Sequence, residues 1–148
     1  MRRAIGFVTA AHRSYSSCTQ YRQNVIDARS EGEHALDCLP GAVNWPSLNN
    51  EERIVVGTLY KQQGGFEAQK IGAALVAANI SRHLQEHVQA LPKTWKPLIY
   101  CWRGGKRSGS LAHILSQIGF QVTLIEGGYK AFRKALIESM PERVAAVR

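Results

Sequence analysis

The sequence contains few cysteines, few acidic residues and no long hydrophobic run. Three cysteines occur among 148 residues, and no two of them form a C-x-x-C pair. This scarcity argues against a disulfide framework and a cysteine-rich zinc site, and it is typical of a protein in a reducing cytoplasm. No apolar run approaches the roughly 18 residues that a membrane-spanning helix needs, so no membrane association is predicted. The length suits one domain with a substantial core.

Acidic residues are both scarce and unevenly placed. The chain has 19 lysines and arginines against 11 aspartates and glutamates, which gives a formal net charge of +8. Most of the acids lie between residues 27 and 67, whereas both ends of the chain are basic. A basic half of this kind favours a partner such as RNA or a small oxyanion, although the charge alone fits a solvated basic surface equally well.

Short β-branched or apolar runs alternate with helical patterns along the chain. We predict strands at residues 6–9, 24–28, 98–100 and 121–125, and helices at residues 31–38, 51–57, 67–91, 108–117 and 129–139. Residues 41–46 contain too many helix breakers and are predicted to form an extended connector. The alternation predicts an α/β domain with a parallel sheet and helices on both faces. Apart from its short strand, the N-terminal segment 1–23 is poorly specified, and the domain is placed at residues 24–148.

The most informative stretch surrounds Cys101, where an apolar run is followed by glycines and cations and then by a helical pattern. In parallel sheets, ligands bind beyond the carboxyl ends of the strands, and Cys101 falls at such an end. A helix N-terminus and neighbouring cations favour a thiolate, so Cys101 is the predicted catalytic nucleophile. The predicted substrate-binding residues are the seven that follow it: Trp102, Arg103, Gly104, Gly105, Lys106, Arg107 and Ser108.

The spacing from Cys101 to Arg107 is C-x5-R. Gly104 and Gly105 allow a tight turn that exposes backbone N–H groups, and the planar fork of Arg107 suits an oxyanion. Ser108 is expected to cap the helix, and a hydrogen bond to the thiolate is the alternative. These features fit a sulfurtransferase, and they also leave open a cysteine phosphatase or arsenate reductase. A non-catalytic module that binds RNA or a partner through its basic half is a further alternative.

No cofactor or metal site is predicted. The run at residues 105–108 looks like the end of a nucleotide-binding P-loop, but that motif needs glycine at position 100 and serine or threonine at position 107. His83 and His87 lie four residues apart on one predicted helix. Because no third ligand is in view, they are expected to form a solvent-facing pair without a metal.

Other conspicuous side chains are expected to have structural roles. Asp27 and Arg29 are predicted to tie the first turn to its neighbours, and Trp45 is predicted to pack in the core or at its rim. Trp102 is as well placed to stack on a nucleobase as to pack against the domain. Cys18 and Cys38, which could in principle resolve a persulfide, are not expected to take part in the chemistry.

Two further stretches resemble the signature of rhodanese-like domains. They are residues 25–46, which contain Val-Ile-Asp-Ala-Arg-Ser and Leu-Pro-Gly-Ala-Val-Asn-Trp-Pro, and residues 124–129, which read Leu-Ile-Glu-Gly-Gly-Tyr. The resemblance extends over nearly all of the chain from residue 24 into the last predicted helix. It implies a rhodanese-like fold with a five-stranded parallel sheet flanked by helices on both faces. It also implies a cysteine that carries persulfide sulfur.

A narrower resemblance is to the N-terminal half of the tRNA 2-selenouridine synthases. It rests on the motifs at residues 56–63, 100–108 and 126–133. That family replaces sulfur by selenium on the wobble 2-thiouridine of tRNA. The resemblance therefore implies a persulfide or perselenide on Cys101, tRNA as a partner, and selenophosphate or a sulfane-sulfur donor as substrate. Members of the family continue into a P-loop domain that this chain lacks, so a P-loop domain or subunit is an expected partner.

Overall fold

The computed structural model describes residues 6–9 and 24–145, with side chains from residue 24 to residue 140. The strands are β1 (Gly6–Thr9), β2 (Val25–Asp27), β3 (Val43–Asn44), β4 (Leu98–Tyr100) and β5 (Thr123–Glu126). The helices are α1 (Glu31–Leu36), α2 (Asn50–Gln63), α3 (Gly65–His83), α4 (Lys106–Ile118) and α5 (Gly128–Ala145), and a π-helical turn at Leu84–Val88 extends α3. The sheet order is β1-β5-β4-β2-β3, and every neighbouring pair is parallel. The predicted parallel α/β architecture is confirmed.

Successive residues of the central strands point to opposite faces of the sheet, as strand geometry requires. One set packs with α3 and α4, and the other packs with α5 and the loop that follows α1. The first set is Ile26, Ile99 and Leu124, and the second is Val25, Leu98 and Ile125. The helices therefore cover both faces of the sheet. This leaves the carboxyl ends of β2, β4 and β5 to form one edge.

The helices between β3 and β4 differ most from their predicted bounds. The helix predicted at residues 51–57 continues to Gln63, and it starts with a capping box in which Asn49 and Glu52 bond each other's backbone N–H groups. Gly64, with a φ of 94°, then separates α2 from α3. The helix predicted at residues 67–91 begins at Gly65, and its helical hydrogen bonding ends at Val88.

A buried polar network joins β2 to β4 beneath the functional edge. Asp27 is fully buried, and its carboxylate accepts hydrogen bonds from the Arg29 side chain at 2.7 and 2.9 Å and from the Tyr100 hydroxyl at 2.9 Å. The Arg29 guanidinium also lies 4.1 Å from the centre of the Tyr129 ring. Asp27 and Arg29 thus have the structural role expected of them. They connect the strand before α1 to the strand that leads to Cys101.

This network predicts a loss of stability in acid. Burial raises the pKa of Asp27, but the hydrogen bonds of Arg29 and His34 and the charge of Arg29 outweigh burial and hold it below the ordinary value of 3.8. The unfolded chain then binds the proton more readily. The stability from Asp27 is therefore complete above pH 3.8 and is lost as the pH falls through the lower native pKa.

Urea unfolding midpoints measured from pH 7 down to about pH 2 test this expectation. The wild-type midpoint should fall steeply below about pH 4. Asp27→Asn should have a lower midpoint at pH 7, and that midpoint should fall less steeply as the pH is lowered. Glu51→Gln, on the exposed start of α2, is the control and should keep the wild-type dependence. An equally steep fall of the midpoint in Asp27→Asn would show that protonation of Asp27 does not cause the loss of stability in acid.

Candidate active site

Cys101 follows β4 directly and lies at the carboxyl edge of the sheet. Its side chain is buried, with 3% of the residue exposed. The Ser108 hydroxyl, in the first turns of α4, donates a hydrogen bond to the Cys101 sulfur at 3.1 Å. Of the two roles expected for Ser108, the structure shows the bond to sulfur. The expectation that Ser108 caps the helix is wrong, because the N-cap position of α4 is Gly105.

The loop between Cys101 and α4 rests on the turn between β5 and α5. The Tyr129 N–H donates to the Cys101 carbonyl at 2.8 Å, and the Lys130 N–H donates to the Trp102 carbonyl at 3.0 Å. This close approach requires Gly128, because a Cβ there would lie 2.3 Å from the Cys101 carbonyl oxygen. Gly104, at a φ of 71°, completes the contact from the other side. The two backbone segments together fix the position of Cys101.

The N-terminus of α4, which is the positive end of the helix dipole, has no side-chain cap. Gly105 supplies no side-chain cap, and the first turn contains no acidic residue. Within the described residues, the backbone N–H groups of residues 102–105 donate to no protein acceptor. Free N–H groups and the helix dipole together favour an anion at this point. The arrangement can therefore stabilise negative charge next to Cys101.

The three cations of the loop have different environments. Arg103 and Lys106 are exposed, whereas Arg107 is half-buried and its guanidinium lies 2.7 Å from the Glu33 carboxylate of α1. Burial raises the pKa of Glu33, but the hydrogen bonds and charge of Arg107 outweigh burial and lower it overall. The fork that the sequence assigns to an oxyanion is therefore bonded to a carboxylate.

Trp102 and Gly105, two further predicted substrate-binding residues, differ in their exposure. Trp102 is half-buried and lies against Tyr129, with ring centres 5.8 Å apart, so its ring packs at the rim of the domain. Gly105 is exposed, and a Cβ added there would meet no atom within 4 Å. Of the predicted residues, Ser108 alone among the described side chains bonds the Cys101 sulfur.

A family model for the rhodanese-like domain matches residues 12–135. The chain belongs to the rhodanese-like domain family. Two curated relatives of this domain are the tRNA 2-selenouridine synthases of Nitrosomonas europaea and Proteus mirabilis, each 42% identical. The matches cover 78% and 81% of this chain but 30% and 33% of those proteins. The chain thus spans about a third of the length of these relatives.

A solved structure has the same fold. It is the crystal structure of the N-terminal domain of a protein from Clostridium difficile 630 that is described as ATP/GTP-binding. It matches this rhodanese-like domain with a TM-score of 0.70 and 34% identity, covering 90% of this chain and 98% of that one. The resemblance identified in the sequence is therefore confirmed.

Of the two remaining cysteines, Cys38 is described by the structure. Cys38 is half-buried in the loop after α1, and burial together with the charge of Asp27 raises the pKa of its thiol. Cys18 lies outside the described residues. Among the described contacts, Cys38 has no hydrogen bond to Cys101, and Cys101 is the candidate nucleophile because of its place before α4.

An apolar cavity of about 400 Å³ lies behind the start of α4, between α2 and α3. Val56 and Tyr60 of α2 line it together with Lys106 and Arg107 from the start of α4. The motif at residues 56–63, which resembles the selenouridine synthases, therefore lies on a helix that faces the cysteine loop. Sequence reasoning missed this cavity, because the helix pattern does not show how α2 and α3 are spaced.

The histidines of α3 differ from their predicted placement. His83 is 5% exposed, so the expectation of a solvent-facing pair is wrong for this residue. Trp45 covers it by ring stacking, which also places Trp45 in the core as predicted. Burial lowers the pKa of His83.

Glu86 lies beside both His83 and His87. The signal that would have found this group is the spacing H-x-x-E-H, which one class of zinc peptidases carries on a helix.

The described helices include none that is long and apolar enough to cross a membrane.

Proposed function

We propose that this rhodanese-like domain carries sulfur or selenium on Cys101, as a persulfide or perselenide, and delivers it during conversion of the tRNA wobble 2-thiouridine to 2-selenouridine. The observation that carries the proposal is the setting of Cys101. Its sulfur lies at the carboxyl end of β4, next to the uncapped start of α4, and accepts a hydrogen bond from Ser108.

The loading step follows from this setting when thiosulfate is the donor. The Cys101 thiolate attacks the outer sulfur of thiosulfate, a new sulfur–sulfur bond forms, and the sulfur–sulfur bond of thiosulfate breaks. Sulfite leaves with the bonding electron pair, and the terminal sulfur on Cys101 carries a negative charge. The free N–H groups of residues 102–105 and the Ser108 hydroxyl are donors for that charge. A preformed set of donors stabilises both the transition state and the persulfide.

The tRNA context is supported by the names of the relatives. Two relatives at 42% identity are tRNA 2-selenouridine synthases, and the chain spans about a third of each. A structural relative is the N-terminal domain of a protein described as ATP/GTP-binding. These matches support a nucleotide-binding P-loop domain or subunit as a partner. The exposed cations Arg103 and Lys106, close to Cys101 in the chain, are suited to tRNA phosphates.

The pairing of Arg107 bears on the phosphatase alternative. A cysteine phosphatase with C-x5-R spacing uses the arginine fork to hold the phosphate oxygens. Here both terminal nitrogens of Arg107 bond the Glu33 carboxylate, at 2.7 and 3.5 Å. Binding a phosphate would require breaking this half-buried ion pair. The structure therefore gives no support to hydrolysis of phosphate esters.

The proposal is tested by treating the wild-type chain with thiosulfate and measuring its intact mass. We expect the mass of one sulfur atom to be added per chain, and we expect cyanide to remove it as thiocyanate. Sulfate, which has no sulfane sulfur, is the matched control and should add nothing. No added sulfur under thiosulfate, or an adduct that cyanide leaves in place, would overturn the assignment.

A further inference from the structure

Three side chains of the kind that bind metals meet at the end of α3. They are His83, Glu86 and His87, and each offers one ligand atom within 4.8 Å of the other two. Their spacing of three and four residues places them on one face of the helix. The group lies on the π-helical turn and its preceding residue, and the proposed sulfur chemistry does not use it.

His83 has the hydrogen bond expected of a metal-bound histidine. Its Nε2 lies 2.9 Å from the carbonyl oxygen of Pro46, which can only accept, so Nε2 carries the proton. The Nδ1 lone pair is then free. This Nδ1 is buried and has no hydrogen-bond partner among the described residues. A histidine that donates one ring N–H to a carbonyl while the other nitrogen binds a metal is the common arrangement in metalloproteins.

We infer that His83, Glu86 and His87 form a Zn²⁺ site, with Nδ1 of His83, a carboxylate oxygen of Glu86 and a ring nitrogen of His87 as its protein ligands. Two imidazoles and a carboxylate suit zinc, and water completes the tetrahedron. Zinc bonds of about 2.0–2.1 Å place neighbouring ligand atoms about 3.3 Å apart. The ligand atoms lie within 4.8 Å of one another, so binding requires Glu86 and His87, whose side chains are 55% and 41% exposed, to rotate toward His83.

The site would fix the end of α3 to the connector that reaches the cysteine loop. Trp45 stacks on both histidines, with ring centres 5.9 Å from His83 and 4.9 Å from His87. Two residues along the connector, the Ser47 hydroxyl donates to the carbonyl of Arg107 at 2.8 Å. Zinc is thus expected to have a structural role, and bound zinc should raise the thermal stability of the domain.

The test is a titration of the full chain, stripped of metals by a chelator, with Zn²⁺ by calorimetry and with Co²⁺ by absorption. We expect one ion per chain with micromolar or tighter affinity, and a Co²⁺ spectrum without thiolate charge-transfer bands. His87→Gln and Glu86→Gln should each weaken binding by about tenfold or more. His113→Gln, an exposed histidine on α4, is the matched control and should bind as the wild type does.

Each alternative outcome decides against the site. Wild-type binding in both His87→Gln and Glu86→Gln would place the ion elsewhere. Thiolate bands in the Co²⁺ spectrum would assign it to a cysteine. Binding weaker than micromolar would show an adventitious ion only. Because Glu86 and His87 are exposed, their variants keep the test decisive even if His83→Gln, which loses the Pro46 bond, does not fold.

Discussion

Replacing Cys101 by serine is expected to abolish sulfur loading by thiosulfate while leaving the fold intact. The Cys101 side chain is buried, and the described contact that its sulfur makes is the hydrogen bond from Ser108, which a serine hydroxyl can also accept. A hydroxyl is a far weaker nucleophile toward sulfur than a thiolate. Intact-mass measurement after thiosulfate should therefore show no added sulfur. The circular dichroism spectrum and the unfolding midpoint should stay close to those of the wild type.

The matched control is Cys38→Ser. Cys38 is also a free thiol but is half-buried, and both its burial and the charge of Asp27 raise the pKa of its thiol. It lies in the loop after α1, which ends at Leu36, and well before α2 begins at Asn50, so it is not at the start of a described helix. We expect Cys38→Ser to load sulfur as the wild type does. A wild-type adduct on Cys101→Ser, or its loss in Cys38→Ser, would refute the role given to Cys101.

The second large effect is expected for Gly128→Ala. The added Cβ would lie 2.3 Å from the Cys101 carbonyl oxygen, 2.5 Å from the Gly104 nitrogen and 2.8 Å from the Trp102 carbonyl oxygen. All three are backbone atoms, so the clash cannot be relieved by rotating a side chain. The φ of 63° adds a cost for any residue with a Cβ. We expect a loss of about 3 kcal/mol or more in the free energy of unfolding, together with loss of sulfur loading.

Urea unfolding and thiosulfate loading of the same preparations measure this effect, with Gly109→Ala as control. A Cβ at Gly109 would meet no atom within 4 Å, and the residue lies inside α4 near the same loop. Alanine there should be neutral or stabilise by up to about 1 kcal/mol. Equal stability of the two variants would mean that the β5–α5 turn does not hold the cysteine loop as described.

The sequence was most informative where local patterns decide the structure. The strand at residues 98–100 was predicted with its observed bounds, because a short apolar run lies between a proline and a glycine-rich loop. Gly119 follows the helical pattern of α4, as glycine commonly does at a helix C-terminus, and it adopts the left-handed conformation with a φ of 119°. By contrast, the length of α2 was underestimated. Its apolar residues include Ile54 and Tyr60, which are 67% and 62% exposed, so no buried stripe marks the helix.

The parts of the site that depend on distant residues could not be predicted from one sequence. The sequence assigns the Arg107 fork to an oxyanion, whereas in the structure Arg107 is in the first turn of α4 and bonds Glu33, which lies 74 residues earlier in the chain. Whether a cation is free or paired depends on how the fold brings such residues together. The burial of His83 likewise depends on Trp45 and Pro46. These two residues precede α2 in the chain, whereas His83 is the last residue of α3. A spacing motif identifies candidate ligands, whereas the fold decides which of them meet.

Peptide mapping of the thiosulfate-treated wild-type chain tests the central claim most directly. The protein is loaded with one equivalent of thiosulfate, blocked with an alkylating reagent and digested, and the peptide that retains the additional sulfur is identified by mass. We expect the additional sulfur on the peptide that contains Cys101 and on no other cysteine peptide. Its recovery on the peptide of Cys18 or Cys38, or its absence from all three, would contradict the account.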